Sequence, residues 1–261
     1  MTSQPFDLNR IRSSGLVREV EFHAEIGSTN DRAMELARDR TLECPFLILA
    51  ARQISGRGRG SNRWWSGPGA LMFTLILDAR GTNLPTERWP QLALAAGGAV
   101  CQAIERAIPD VDARVKWPND VYLTGKKTAG ILAEVPSDAA GRLLVGIGIN
   151  VNNSLAAAPL ELTQTATSMT DVAHQTFDLT EVLLAALASF AEWRNKLLHD
   201  PPAFFEQWRM RCLLTDKKVC VRDGSRQITG DCQGIDDSGR LKLATPAGIE
   251  RLLSGTVVSF E

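Results

Sequence analysis

The chain has 261 residues, 44% of them hydrophobic, and its 29 basic and 30 acidic residues give a formal net charge of −1. This composition is typical of a globular protein that buries a sizeable core, in one domain with a small second one. The balanced charge excludes a global field that would attract nucleic acid or an anionic membrane, so any basic patch has to be local. We therefore expect neither nucleic acid nor a membrane as a partner.

Cysteine and histidine usage indicates a reducing compartment and no protein-built metal site. The five cysteines are far apart, without a Cys-x-x-Cys pair, and the three histidines show no zinc spacing. The N-terminus, MTSQPFDLNRIR, lacks the apolar core of a signal peptide, and no apolar run is long enough to cross a membrane. We expect a cytoplasmic protein.

The first predicted elements are a strand and a helix. Residues 17–26 alternate loosely as a strand, and the chain before them is too short for a helix-turn-helix module. In the following GSTNDRAMELARDR, Ser28 or Thr29 is suited to cap a helix. An ordinary cap is one interpretation. The other is that two hydroxyls and the Asn30 amide at a helix N-terminus form a donor set for a small polar ligand.

A glycine-arginine loop lies between two apolar strand patterns, residues 46–53 and 70–77. Glycine permits close backbone approach and arginine supplies a fork of donors, so GRGRGSNRWWS is typical of an anion site. The loop fits neither a Walker motif, because no Lys follows its glycines, nor a dinucleotide fingerprint, because Ser61 stands where glycine is required. A mobile basic loop, or one that contacts RNA without specificity, is the alternative. Trp64 and Trp65 favour a purine nucleotide.

The middle of the chain predicts a packed helix and a hairpin. Residues 89–108 have helical spacing, and Gly97 and Gly98 within them indicate close packing. Residues 112–135 predict a strand, a Trp-Pro-Asn-Asp turn and a hairpin, with Lys116 and Lys127 directed toward the sheet. Residues 141–154 predict a strand whose interior glycines, at 146 and 148, mark the floor of a ligand site.

The last third of the chain changes character. Residues 155–177 are polar and predict a loop, and residues 179–198 and 202–213 predict helices. From residue 215 onward, short strand patterns alternate with turns about every ten residues, as in a small antiparallel barrel. We therefore predict one domain over residues 1–214 and a β-barrel domain over residues 215–261.

Taken together and in order, the motifs STN, GRGRGSNRWWS, VKWPND, KxxGIL followed by Glu134, and GIGIN closely resemble those of biotin protein ligases. The motifs cover roughly residues 25–151. The resemblance implies an α+β fold, with a mixed β-sheet catalytic domain flanked by helices, as in class II aminoacyl-tRNA synthetases and biotin and lipoate ligases, plus the small C-terminal β-barrel. It also implies the class of ligase that lacks an N-terminal DNA-binding domain.

The resemblance implies an enzyme that activates biotin with ATP and attaches it to a lysine of a biotin carboxyl carrier domain. ATP and biotin are then substrates, Mg²⁺ arrives with ATP, and the protein is a monomer or homodimer. Arg57, Arg59 and Lys127 are the implied catalytic residues. The implied biotin-binding residues are Ser28, Thr29, Asn30, Gln53, Gly56, Arg57, Gly58, Arg59, Lys127, Gly130 and Leu132. The implied nucleotide-binding residues are Trp64, Lys116, Asn119 and Asn150.

Two details leave room for other interpretations. Where the family loop often continues with another Arg-Gly-Arg, this chain has Gly60, Ser61 and Asn62, so Arg63 is the nearest substitute for a third arginine. A lipoate or octanoyl attachment enzyme of the same architecture is the alternative function. The octanoyl transferases of that group use a cysteine nucleophile, which no recognisable ligand loop supplies here, and the KWPND segment favours biotin.

Overall fold

The computed structural model describes residues 5–80, 85–139 and 141–261; the first four residues of the polar N-terminus lie outside them. The helices are α1 (Leu8–Ser13), α2 (Thr29–Leu36), α3 (Gln91–Ala107), α4 (Leu160–Thr165), α5 (Met169–Ala173), α6 (Leu179–His199) and α7 (Pro201–Met210). Short 3₁₀ helices span Thr86–Arg88 and Leu155–Ala157.

The strands are β1 (Glu19–His23), β2 (Phe46–Ala50), β3 (Leu71–Asp78), β4 (Ala113–Lys116), β5 (Asp120–Leu123), β6 (Lys126–Glu134), β7 (Arg142–Ile149), β8 (Lys218–Asp223), β9 (Arg226–Ile235), β10 (Leu241–Thr245), β11 (Gly248–Leu252) and β12 (Thr256–Phe260). The first seven form one sheet in the order β1-β2-β3-β7-β6-β5-β4. Strands β1 and β2 run parallel and the other neighbours antiparallel, so the predicted mixed sheet is confirmed.

Strand alternation gives the seven-stranded sheet two different faces. On one face, side chains such as Leu47, Phe73 and Val145 belong to a large core cluster that includes α3 and α6. On the other face, Ile48 and Ile76 pack with α2 in a smaller cluster. Helix α2 packs over β2, β3 and β7, and the candidate site lies beside the N-terminus of this helix, over β6 and β7.

The glycines inside α3 are required by close packing, as the sequence predicted. A Cβ atom on Gly98 would lie 2.6 Å from the Trp193 ring of α6, and one on Gly97 would lie 3.2 Å from Val115 of β4. Side chains at these positions would push α3 away from its neighbours. The gain from close packing therefore outweighs the lower helix propensity of glycine.

The prediction that residues 155–177 form a loop is wrong in part, because a 3₁₀ helix, α4 and α5 lie within them. These segments have three to six residues each, too short to show a hydrophobic period. Polar side chains cap the 3₁₀ helix and α5, whereas α4 follows Pro159 and has no side-chain cap. The Ser168 hydroxyl accepts a hydrogen bond from the Asp171 amide at 3.1 Å, and the Asp171 carboxylate accepts one from the Leu155 amide at 2.9 Å.

The C-terminal strands form a separate antiparallel sheet in the order β11-β10-β9-β8-β12. It packs against the first unit, since the Trp117 indole donates to the Gly239 carbonyl at 3.1 Å and the Arg209 guanidinium donates to the Ile235 carbonyl at 2.8 Å. The large core cluster includes residues of both units. The predicted boundary at residues 214 and 215 falls between α7 and β8.

Across residues 5–80, 85–139 and 141–261, no helix combines the length and the apolar character needed to cross a lipid bilayer.

Candidate functional site

A cavity of about 330 Å³ opens on the partly uncovered face of the seven-stranded sheet. The start of α2 and the glycine-arginine loop form two of its walls, strands β6 and β7 form the floor, and residues of β12 contribute from the C-terminal sheet. The predicted site residues that line it are Ser28, Thr29, Asn30, Gln53, Arg57, Gly58, Arg59, Trp64, Lys116, Asn119, Lys127, Gly130 and Leu132.

Two predicted site residues, Gly56 and Asn150, are not among the residues that line the cavity. The Asn150 side chain donates to the Thr167 carbonyl at 3.1 Å and accepts from the Asn153 amide group at 2.9 Å. The Gly56 carbonyl accepts from the Trp64 amide at 2.9 Å, and a Cβ at Gly56 would lie 2.7 Å from the Trp64 carbonyl oxygen. In this structure both residues hold neighbouring segments in place instead of facing the cavity.

A buried polar cluster stands at the N-terminus of α2. Gln53 Oε1 accepts hydrogen bonds from the backbone amide of Thr29 at 2.7 Å and from its hydroxyl at 3.0 Å. The Thr74 hydroxyl of β3 contacts the Thr29 hydroxyl at 2.9 Å and the Asn30 amide oxygen at 2.6 Å. Ser28 is the N-cap residue by position, but its side chain makes no capping hydrogen bond. The cluster therefore does more than cap a helix.

Glycines on β6 and β7 make room for the side chains above them. A Cβ on Gly146 would lie 1.9 Å from the Asn30 amide oxygen, and one on Gly148 would lie 2.6 Å from the Trp64 ring. At Gly130 the nearest Trp64 atom would be 3.2 Å away. The predicted glycine floor is thus present, and the Trp64 indole lies on it. The Trp64 Nε1 is buried without a hydrogen-bond partner among the described residues.

Two lysines line the cavity and have different neighbours. The Lys127 ammonium lies 2.6 Å from Asp120 Oδ1 and 5.9 Å from the centroid of the Trp64 ring. The Lys116 ammonium lies 5.1 Å from the centroid of the Phe260 ring, a residue of the C-terminal sheet. Burial lowers the pKa of Lys116, because an ammonium loses hydration there.

The two loop arginines have different partners. The Arg59 guanidinium is half-buried and donates to the Gly255 carbonyl between β11 and β12, and its burial lowers its pKa. Arg57 instead forms ion pairs with Glu134 and Asp31. Burial opposes the charge of Arg57, but the hydrogen bonds and charges of the two carboxylates outweigh it and raise its pKa.

Comparison with known proteins assigns the chain to a protein family. Residues 23–152 match the model of the Biotin/lipoate A/B protein ligase family, and residues 216–258 match the Biotin protein ligase C terminal domain. The chain is 33% identical over 248 residues to the Biotin--[acetyl-CoA-carboxylase] ligase of Mycobacterium tuberculosis, covering 92% of this chain and 89% of that protein. It belongs to the biotin protein ligase family.

Further relatives agree with this assignment. The Biotin--[acetyl-CoA-carboxylase] ligase of Paracoccus denitrificans is 34% identical over 232 residues, 86% of this chain and 94% of the relative. The structure of the biotin protein ligase from Aquifex aeolicus in complex with biotin and ATP matches with a TM-score of 0.79 at 31% identity, covering 94% of this chain and 99% of that chain. These matches confirm the family and the α+β fold that the motifs predicted.

Several residues that line the cavity, or that contact its lining residues, were not assigned a role from the sequence. Asp120 lies in the WPND motif and Glu134 follows the KxxGIL motif, so their positions were visible although their contacts were not. The Thr74 contacts join residues 44 and 45 positions apart and Thr256 comes from the second sheet, so neither leaves a local pattern. The remaining lining residues without an assigned role are Asn62, Trp117, Pro118, Ile131, Ile147 and Val257. Gly146 and Gly148, predicted as the floor, and Arg63, the predicted substitute for a third arginine, also line the cavity.

The chemistry available in the cavity is limited to hydrogen bonding, cations and carboxylates. No cysteine lines the cavity. Within the described part of the chain there is also no cluster of three or more His, Cys, Asp or Glu residues that fits a metal ion. Cations of the sheet and the loop converge on a glycine floor beside a neutral polar cluster, an arrangement that suits a ligand with a polar uncharged end and an anionic end.

Proposed function

We propose that the protein activates biotin with ATP to form biotinyl-5'-AMP and then transfers the biotinyl group to a specific lysine of a biotin carboxyl carrier domain. The observation that carries this proposal is the division of one cavity into a neutral polar cluster and a group of cations. Biotin has the matching division, because its ureido ring is polar and uncharged and its carboxylate is an anion. The names of the relatives and the ligands of the Aquifex aeolicus structure support the same substrates.

In this proposal the polar cluster binds the ureido ring. Ser28, Thr29 and Gln53 supply hydroxyl and amide groups, and the Asn30 amide completes the set. The Ser28 hydroxyl is free of a capping bond and only 3% of the residue is exposed, so a ligand that hydrogen-bonds to it replaces little water. A buried polar site of this kind selects strongly for its partner, because a ligand without matching groups leaves donors and acceptors unpaired.

The cations act at the other end of the ligand. The biotin carboxylate is ionised at neutral pH, so its attack on the α-phosphorus of ATP needs no general base. The difficulty is to bring an anion to a polyphosphate, and Lys127 and Arg59 reduce that repulsion. Lys116, Asn119 and Trp64 are the proposed contacts of the nucleotide, and Mg²⁺ arrives with ATP as part of that substrate. Pyrophosphate leaves in this step.

The second step is acyl transfer. The lysine amine of the carrier attacks the acyl carbonyl of the mixed anhydride, and AMP leaves. Since the anhydride is readily hydrolysed, the glycine-arginine loop is proposed to cover it and exclude water. The contact between Arg59 and the Gly255 carbonyl supports a part for the C-terminal sheet in holding this loop closed. The carrier domain of a biotin-dependent carboxylase is the proposed partner, in line with the relatives' names.

The first test is exchange of labelled pyrophosphate into ATP without any carrier domain. We expect exchange that depends on biotin, because adenylation is reversible and precedes transfer. Lipoate and octanoate are the matched control substrates. Exchange that requires either of them and ignores biotin would show that the substrate assignment is wrong. Intact-mass measurement of a carrier domain incubated with ATP and biotin then tests the transfer step.

A further inference from the structure

The ion pairs of Arg57 join three separate segments of the chain. Its guanidinium donates to both carboxylate oxygens of Glu134, at 2.6 and 3.1 Å, and to Asp31 Oδ1 at 2.9 Å. Glu134 is the last residue of β6, and Asp31 lies in the first turn of α2. The loop is therefore attached to the sheet and to the helix by one side chain.

Glu134 is also bound to the polar cluster. Its Oε2 accepts a hydrogen bond from the Asn30 side-chain amide at 2.9 Å, while the Asn30 amide oxygen accepts from the Thr74 hydroxyl at 2.6 Å. The Asn30 amide is thereby fixed at both ends. One carboxylate thus contacts the loop on one side and, on the other, a residue that lines the cavity.

We propose that Glu134 is a positioning residue that holds the glycine-arginine loop closed through Arg57 and orients the Asn30 amide. Arg57 then acts through Glu134, whereas Arg59 and Lys127 are the cations directed at substrate. The orientation of Asn30 is tested by enzyme kinetics, and that test rests on the proposed function.

An ordinary surface ion pair contributes little to stability, because water screens it and two flexible side chains have to be ordered. The Glu134 pair differs in three respects. It is bidentate, which fixes both side chains in one plane. The Glu134 side chain is only 20% exposed. The same carboxylate also accepts a hydrogen bond from the Asn30 side-chain amide, so a change at Glu134 weakens both the loop contact and the Asn30 contact.

The first experiment is limited trypsin digestion of the ligand-free protein, with cleavage after the exposed Arg63 as the readout. We expect Glu134→Gln to raise the cleavage rate about tenfold, because one charge-assisted pair of hydrogen bonds to the loop is weakened. Asp138→Asn is the matched control, since Asp138 forms an exposed pair with Arg38 at 2.8 Å and does not line the cavity. Equal cleavage rates for the wild type, Glu134→Gln and Asp138→Asn would overturn the proposal.

A double-mutant cycle with Arg57→Gln tests whether the two residues act as a unit. We expect Arg57→Gln alone to raise cleavage after Arg63 at least as much as Glu134→Gln does, because it also loses the pair with Asp31, and the double variant to be cleaved no faster than Arg57→Gln. Effects that multiply in the double variant would contradict a shared contact. Melting temperatures of the three variants close to that of the wild type will show that the loop, and not the whole fold, has opened.

The kinetic readout concerns Asn30. In pyrophosphate exchange, Glu134→Ala is expected to raise the KM for biotin about tenfold, with a smaller rise in the KM for ATP, because the freed amide belongs to the polar cluster. Equal rises in both KM values would indicate a general structural defect and overturn the orienting role. If the wild type itself shows no exchange, the proposed function fails, while the proteolysis results still decide whether Glu134 holds the loop.

Discussion

The two faces of the seven-stranded sheet are built from alternate residues of the same strands, yet they serve different purposes. On β3, Phe73 belongs to the core cluster that also includes α3 and α6, while the next residue, Thr74, bonds Thr29 and Asn30 beside the cavity. On β7, Val145 and Ile147 face the core, and Gly146 and Gly148 form the floor. The difference shows that one strand pattern supplies stability on one face and a ligand site on the other.

The largest difference between the two faces is expected when neighbouring residues on β3 are replaced, one for its effect on stability and the other for its effect on substrate binding. Phe73→Ala removes a buried ring and should lower the free energy of unfolding by about 3–5 kcal/mol, measured by denaturant titration. Thr74→Val keeps the shape of the side chain but removes two hydrogen bonds. It should cost less stability, about 1–3 kcal/mol, and raise the KM for biotin. If both variants changed stability alone, the division between the faces would be wrong.

Lys127 and Lys126 repeat the comparison on β6. Lys127 lines the cavity, whereas the Lys126 ammonium donates to the Thr163 carbonyl at 3.1 Å and does not line it. We expect Lys127→Ala to slow biotin-dependent pyrophosphate exchange by ~10²–10³, because one group that stabilises charge on the phosphate is lost. Lys126→Ala should change the rate little. Equal losses for both variants would remove Lys127 from the proposed catalytic residues.

Arg59 distinguishes closure of the loop from simple charge. Arg59→Gly removes the contact with the Gly255 carbonyl and adds backbone freedom, so closure should become less favourable by about 1 kcal/mol or more. We expect adenylate formation to continue while more biotinyl-5'-AMP is released into solution, measured relative to the adenylation rate. Arg59→Lys keeps the charge without the fork of donors. If this variant retains the intermediate as well as the wild type does, charge alone is sufficient and the closing role of Arg59 is refuted.

The smallest expected effect concerns the stability contributed by Glu21 of β1, the strand at one edge of the seven-stranded sheet. Hydrogen bonds from Arg32 of α2 lower the pKa of Glu21, a β1 residue whose side chain is 25% exposed. A lowered pKa in the folded state stabilises the protein above the pKa of the unfolded chain, and this contribution disappears as pH falls through the folded-state pKa. We expect Glu21→Gln to cost about 1 kcal/mol or less near pH 7.

The pH dependence provides the check. The difference in unfolding free energy between the wild type and Glu21→Gln should shrink as the pH is lowered into the acid range. Glu35→Gln is the matched control, because Glu35 pairs with the same arginine at 3.0 Å but its side chain is 64% exposed. A difference that does not change with pH would show that Glu21 acts by packing and not by its charge.

The sequence was most informative where a motif was local. The helix pattern of residues 179–198 corresponds to α6, and the turn at Thr124 and Gly125 joins β5 to β6 with both residues at positive φ, as a tight hairpin allows. The helices among residues 155–177 were missed because each is too short to show a hydrophobic period. The motifs of Gly56 and Asn150 predict substrate binding, and that stays a prediction, although neither residue lines the cavity in this structure. A motif does not specify the direction in which a residue faces.

By itself, the sequence determined the family, the α+β class, the positions of the floor glycines and the chemical types of the candidate site residues, because motifs, strand alternation and turn formation depend on neighbours along the chain. Only the tertiary structure decided which partners those residues have. Arg57 reaches Glu134 across 77 positions and Arg59 reaches Gly255 across 196 positions. Contacts over such separations arise from the way the sheet, α2 and the C-terminal sheet pack, and no local pattern records them.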